Sequence, residues 1–392
     1  MDRRILLIGL GAFAVSSIAF LFAGLLPLIA LDTGITVPQA GYLAFAYSMT
    51  YALATPVIST LVGAYDRRYV LSVSLLGFVF GTMLTATSQS MTQLILAQVV
   101  TGMAGGQFAA VGQAVAVTLA PPDRRAKAIS MVVGGTTFAV ALGAPLGAFL
   151  AHMAGWRTAF ALIGGVAALC LVLLWTILPK TLPGAALSLS QRLGVVRRPG
   201  ILRLILTSFI YLCGAFAVVA YFGPIVIDGA GLAPDLLPLA LLIYGVGAIT
   251  GNWISGRISD RVGPRRVVLT SMVSSVLISL VLVAIIDFVP KEIAAPGVVV
   301  LMFIWGVLGW VFPPAQTSRL VGRAPDVAHL TLALHASFIY LGVAVGTFAG
   351  GRVLEFGSVA GLGLLAAAFC VITLAMTLTD RQPAVPAPQP AA

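Results

Sequence analysis

The chain has 392 residues, of which 60% are apolar and 9% charged, with a formal net charge of +10; ordinary soluble domains carry roughly 25% charged residues. That composition excludes a water-soluble globule. Apolar runs near 20 residues, long enough to cross a hydrocarbon core of about 30 Å, recur along the whole sequence and define an all-α polytopic membrane protein.

Met1-Asp2-Arg3-Arg4 precedes an apolar run over 5–31. This run exceeds the usual signal-peptide core of about 7–15 residues and has no small-residue cleavage site, so it reads as the first span. The pattern then predicts spans near 40–62, 69–88, 91–119, 128–151, 158–178, 201–222, 236–258, 266–286, 296–317, 329–350 and 358–379, twelve in all. The longest interval, "PKTLPGAALSLSQRLGVVRRPG" at 179–200, is basic and holds three prolines. It is expected to be a linker between six-helix halves at 1–178 and 201–380, with a short interfacial helix in "LSLSQRLGVV". The Pro/Ala-rich end, 381–392, is expected to be disordered. Cys170, Cys213 and Cys370 lie in separate apolar runs without metal-ligand spacing, which predicts buried free thiols.

Twelve spans put both termini on one side. With the N-terminus inside, 19 of the 22 Lys and Arg residues fall in inner segments, leaving Arg157, Lys291 and Arg352 outside. Basic loops stay in the cytoplasm, so the chain is expected to be multi-pass with both termini cytoplasmic. The acids divide evenly, Asp123 being among the inner six. The positive charge is thereby topological, and no nucleic-acid partner is needed to explain it.

"LGAPLGAF" (142–149) returns as "LGVAVGTF" (341–348) at an offset of 199, and "DRRYVL" (66–71) returns as "PRRVVL" (264–269) at an offset of 198. Two nearly equal offsets indicate a duplicated six-helix unit, its copies related by a pseudo-twofold axis along the membrane normal. Gly143 and Gly147 stand one turn apart and admit a close neighbour, while Pro145 bends the helix, so the three are expected to form a hinge. Gly63, Asp66, Arg67 and Arg68 in one loop, and Gly256, Asp260, Arg261, Arg265 and Arg266 in the other, put opposite charges beside helix ends, as a conformational clamp between the halves requires.

"GRISDRVGPRR" (256–266) resembles the loop signature of the major facilitator superfamily, and "GAYDRR" (63–68) resembles its shortened form in the drug and sugar efflux branch. "GAPLGAFLAHMAGWR" (143–157) is similar to that branch's fifth-span antiporter motif; "GLLP" (24–27) and "QVVTGMAGG" (98–106) sit where it has motifs. The resemblance implies an efflux transporter of a bacterial cytoplasmic membrane, monomeric by the family's default, working by alternating access; no cofactor or metal is expected. Proton-coupled members carry an acid in span one and an Arg in span four; here those positions read Ala19 and Gln98. Coupling candidates are then Gln98 itself, Asp32 at an outer helix end, and His335 in span eleven.

Polar and aromatic residues at mid-depth are expected to line the solute path: Ser16, Ser17 and Phe20, Tyr47 and Tyr51, Gln107, Thr137, Tyr211, Tyr244, Trp305 and Phe338. Such a lining suits a small neutral or weakly polar solute held by stacking and hydrogen bonds. Two other readings stay open: a proton-independent facilitator or importer, and a non-transporting membrane receptor or partner protein. No Ser/His/Asp set or phosphate-cradling loop points to an enzyme.

Overall fold

The computed structural model describes residues 2–121, 124–184 and 188–380. Asp123 and the 381–392 segment lie outside the described residues. The described residues are helical, without a strand. The first six long helices are α1 (Arg3–Thr33), α2 (Val37–Leu61), α3 (Arg67–Thr87), α4 (Met91–Leu119), α5 (Arg125–Ala154) and α6 (Trp156–Ile177). A short α7 (Leu189–Gly194) follows. The second set comprises α8 (Ile201–Val219) with the single turn α9 (Phe222–Pro224), α10 (Leu237–Val262), α11 (Pro264–Phe288), α12 (Lys291–Trp310) with α13 (Phe312–Arg323), α14 (Ala328–Phe356) and α15 (Val359–Leu378).

Each predicted span falls on one of these helices, and two are broken where continuous helix was expected. Residues 201–222 do not form one rod: α8 ends at Val219, and the chain continues through α9 and a π turn over Ile225–Gly229. Pro224 offers no N–H to a helical ladder. Residues 296–317 break at Val311, just ahead of Pro313 and Pro314. Among the described residues eleven helices are long and apolar enough to cross a membrane, and α2 is the long helix outside that set. Its Ser48, Thr50, Thr55, Ser59 and Thr60 lower its apolar character, and it packs between α4 and α14 inside the bundle.

Local chemistry sets the ends. Asp66 caps α3, accepting from the Arg68 amide at 2.8 Å. Gly263 ends α10 at φ +87°, and Pro264 begins α11, so the glycine in "DRVGPRR" supplies a backbone region that L side chains rarely adopt. The three cysteines are free and buried.

The duplicated phrases occupy matching places. Gly143 and Gly147 of α5 press on Ser17, Phe20 and Leu21 of α1, while Gly342 and Gly346 of α14 press on Phe209, Leu212 and Cys213 of α8. Likewise Gly102 of α4 approaches the Tyr47 carbonyl, and Gly306 of α12 the Tyr244 carbonyl. The two sets of six meet along two seams, α2 with α14 and α5 with α10.

The linker end of the bundle gathers the start of α1, the α2–α3 and α10–α11 turns and residue 380. There α7 opens with a capping box between Ser188 and Gln191. Arg192 donates to the Ser59 carbonyl (3.1 Å), the Leu182 amide donates to Asp66 (2.7 Å), and Arg198 makes a two-pronged pair with Asp326 at 2.7 Å. The linker is thereby fastened to both sets of helices. The Arg198 guanidinium beside Asp326 holds that carboxyl below the usual carboxylate range. The pair's contribution is complete above the ordinary Asp pKa of about 3.9 and fades as pH falls through the lowered value. Asp326→Asn at neutral pH will reproduce the acid state, raising amide exchange over 189–198 as followed by hydrogen-exchange mass spectrometry. Unchanged exchange would mean that the pair does not hold the linker.

Candidate functional site

At mid-depth the two helix sets meet through aromatic rings. Phe20 of α1 packs 5.9 Å from both Phe216 of α8 and Trp310 of α12. Trp310 Nε1 donates to the Tyr244 hydroxyl at 2.8 Å, and Phe222 sets its edge against Tyr244 (4.8 Å) and Trp305 (6.2 Å). A cavity of about 30 Å³ lies beside them, lined in part by Tyr211, Phe216, Tyr244, Trp305 and Trp310. Tyr211 stacks on Phe312 at 3.9 Å, and its hydroxyl lies 3.0 Å from Ser271 and from Ser275.

The α2–α14 seam carries a second cluster. Tyr340 stacks on Tyr51 at 3.6 Å and sets its edge on Tyr47 at 6.4 Å. The Tyr47 hydroxyl donates to the Val15 carbonyl at 2.8 Å, locking α2 to α1. Ser16 bonds Thr136 at 3.2 Å beside this cluster. The other seam is built differently. Tyr340 stands 199 residues after Ala141, in the repeat's own register, and Ala141 meets Gly245 with backbones in close approach. Asn252 closes that seam by donating to Thr137 at 2.9 Å. One seam is thus aromatic on aromatic, and its mate is backbone on backbone.

Of the expected path residues, Phe20, Tyr47, Tyr51, Tyr211, Tyr244, Trp305 and Thr137 fall in these clusters and seams. Ser17 turns back to the Phe13 carbonyl of its own helix (2.7 Å). Gln107 accepts from Ser59 at 2.9 Å, nearer the linker end. Phe338 packs against Phe209 and against the apolar cluster at the start of α8. Sequence reasoning left out Phe216, Trp310, Tyr340 and Asn252. Tyr340 carried a signal, since it directly precedes the repeated "LG", and Trp310 directly precedes the Val-Phe-Pro-Pro break.

The coupling candidates have firm partners. Gln98 is fully buried and donates to Thr85 of α3 at 3.0 Å, so it faces α3. Asp32 pairs with Arg157 and accepts from Trp156 Nε1 (3.1 Å) at the end opposite the linker. His335 is buried with Nε2 2.8 Å from Ser208. Among the described residues every carboxylate belongs to a helix end or a connecting segment, and the aromatic clusters hold no charge.

The loop residues mostly bind inside their own set of helices. Arg67 donates to Thr118 (2.9 Å) of α4, and Arg68 to the Trp175 carbonyl (2.6 Å) of α6. Gly63 lies against Gly184 of the linker segment, and Arg265 donates to the Thr377 carbonyl (3.1 Å). Asp260, Arg261 and Arg266 are exposed, and Gly256 faces open space. Pro145 lies within α5, on the helix whose Gly143 and Gly147 face α1.

A polytopic bundle of two like six-helix sets, enclosing an uncharged aromatic centre, has the architecture of a membrane transporter. The sequence model of the Major Facilitator Superfamily matches residues 6–329, and the chain belongs to that family. It is 27% identical over 375 residues to the uncharacterized MFS-type transporter YbcL of Bacillus subtilis (strain 168), covering 96% of this chain and 95% of that one. It is also 27% identical over 357 residues to the inner membrane transport protein YdhP of Escherichia coli (strain K12), covering 91% and 90%. A crystal structure of a D-xylose-proton symporter superposes with a TM-score of 0.76 at 17% identity, covering 96% of each chain. The human organic anion transporter MFSD10 (TETRAN) gives 0.70 at 16%, covering 96% of this chain and 99% of that one. Both share its fold.

Proposed function

We propose that the protein exports a small neutral or weakly polar organic solute across a bacterial cytoplasmic membrane by alternating access, helices 1–178 and 201–380 rocking about the aromatic centre. The observation carrying this reading is that the site between the two sets is aromatic, hydroxylated and uncharged, built by Phe20, Phe216, Tyr244 and Trp310 with Tyr51 and Tyr340 at the seam. Stacking and single hydrogen bonds suit a planar or hydroxylated solute, whereas a charged one would lack a counter-ion there. The contacts between the sets in the outer half, Gly24 with Leu241, Gly223 with Pro27 and Gly41 with Tyr221, correspond to a state closed on the side opposite the linker. With the basic loops cytoplasmic, that state would admit solute from the cytoplasm.

His335, buried about two turns into α14, is the candidate group for proton exchange, with Asp32 held by Arg157 at the surface. A second reading, a proton-independent facilitator, is favoured by the lack of a mid-span carboxylate among the described residues. Proteoliposomes enclosing a pH-sensitive dye separate the two. Solute flux matched by proton flux supports antiport, and His335→Ala will then abolish the proton signal. Flux indifferent to an imposed proton gradient supports the facilitator. In either case Trp310→Ala will cut flux about tenfold or more, since aromatic anchors dominate binding energy; full flux would overturn the aromatic site.

A further inference from the structure

An apolar groove of about 410 Å³ runs along the outer surface of the bundle between α3 and α6, lined among others by Tyr69, Val73, Leu76, Val172 and Trp175. Those five side chains are exposed, so in a bilayer the groove opens onto lipid. Aromatic rings close its linker end: Tyr69 sets its edge on Trp175 at 5.7 Å, and the Arg68 guanidinium lies 4.3 Å over the Trp175 ring. Arg68 has no carboxylate partner among the described residues. Its neighbour Asp66 is occupied by two backbone amides, those of Arg68 and Leu182. Lys180, exposed just beyond the end of α6, adds a second positive charge at the same end.

We propose that this groove holds an acyl chain of an anionic phospholipid, with the phosphate-bearing headgroup on Arg68. Three independent features agree. The groove is an apolar channel facing hydrocarbon; Tyr69 and Trp175 are amphipathic rings of the kind that settle at headgroup depth; and the Arg68 guanidinium, which donates one Nη to the Trp175 carbonyl and has no carboxylate partner among the described residues, stands at the mouth, where its remaining N–H groups suit phosphate oxygens. A zwitterionic lipid would satisfy the groove but leave the positive charge unanswered. Basic pockets between transmembrane helices are sites of such headgroup selection.

The test is native mass spectrometry of the full-length chain released from detergent after titration with phosphatidylglycerol and phosphatidylcholine of identical chains. Wild type will retain the anionic lipid about fivefold better, Arg68→Gln will bring the two lipids to parity, and Val73→Trp, which fills the groove, will lower retention of the anionic lipid. A second readout places the lipid: phosphatidylglycerol with brominated chains, reconstituted in vesicles, will quench tryptophan fluorescence more in wild type than in Trp175→Phe. Equal retention of both lipids by wild type overturns the proposal, as does undiminished preference in Arg68→Gln or quenching independent of Trp175. Should Arg68→Gln fail to fold, anionic lipid retained by Val73→Trp at the wild-type level overturns it equally.

Discussion

Asp380→Ala will destabilise the protein by about 3–5 kcal/mol, the range for removing one member of a buried ion pair. Asp380 sits 2.8 Å from Arg319, with both side chains almost wholly buried, and 3.6 Å from Arg323. Arg319 is also held by Gln316 at 2.9 Å, and Gln316 donates to the Leu204 carbonyl at 2.8 Å, so the pair ties α13 to α8 and to the end of α15. Arg265 approaches the same centre and adds repulsion between cations. Deleting the single carboxylate leaves Arg319 and Arg323 facing each other without a counter-ion. Arg319→Leu should cost less, because Arg323 can take over the carboxylate, and Arg319→Leu with Asp380→Ala should recover part of the loss from Asp380→Ala alone. Unfolding by steric trapping in detergent micelles ranks the three variants. A double variant worse than Asp380→Ala would show that the pair adds stability beyond neutralising its own charges.

This network was invisible in the sequence for a physical reason. Arg319 and Asp380 are 61 residues apart, and each, read alone, looks like an ordinary solvated charge at a basic loop. The architecture was far more legible, because span length, basic asymmetry and the two repeat offsets are one-dimensional signals of three-dimensional symmetry. Gly143/Gly147 and Gly342/Gly346 then fall on α1 and α8, as a true repeat requires. What pattern alone missed was direction. Depth in the membrane is a sequence coordinate, but the face a side chain presents is set by neighbouring helices. Tyr51 and Tyr244 join the aromatic clusters, whereas Gln107 pairs with Ser59 and Phe338 packs on Phe209. The loop arginines illustrate the same limit: charge signs and spacing place them at helix ends, yet Arg67, Arg68 and Arg265 choose carbonyls and a hydroxyl within their own helix sets.

Gly245→Ala will shift the conformational equilibrium rather than unfold the chain. A Cβ at Gly245 would lie inside van der Waals contact of the Ala141 carbonyl oxygen and 2.9 Å from its carbon, atoms of backbone that have no rotamer by which to yield. The clash arises at the α5–α10 seam and only while that seam is closed. The matching position on α14 shows the alternative solution, since Tyr340 spans the α2–α14 seam with a ring stacked at 3.6 Å on Tyr51. Overpacking of this kind costs about 1–3 kcal/mol. Applied to one conformation of an alternating-access cycle, such a cost shifts the population about 5- to 150-fold against the state with α5 and α10 in contact. Spin labels on α5 and α10, read by double electron–electron resonance, should show the longer distance gaining population in Gly245→Ala while thermal stability in detergent stays close to wild type. Transport should fall with it, because a carrier confined to one state cannot complete its cycle. Tyr340→Ala supplies the converse: it loosens the aromatic seam without a clash, so distances there broaden while the α5–α10 distance stays short. If Gly245→Ala leaves both distance distributions and transport unaltered, the tight seam opens by too little to matter, and the rocking motion must pivot about the α5–α10 contact itself.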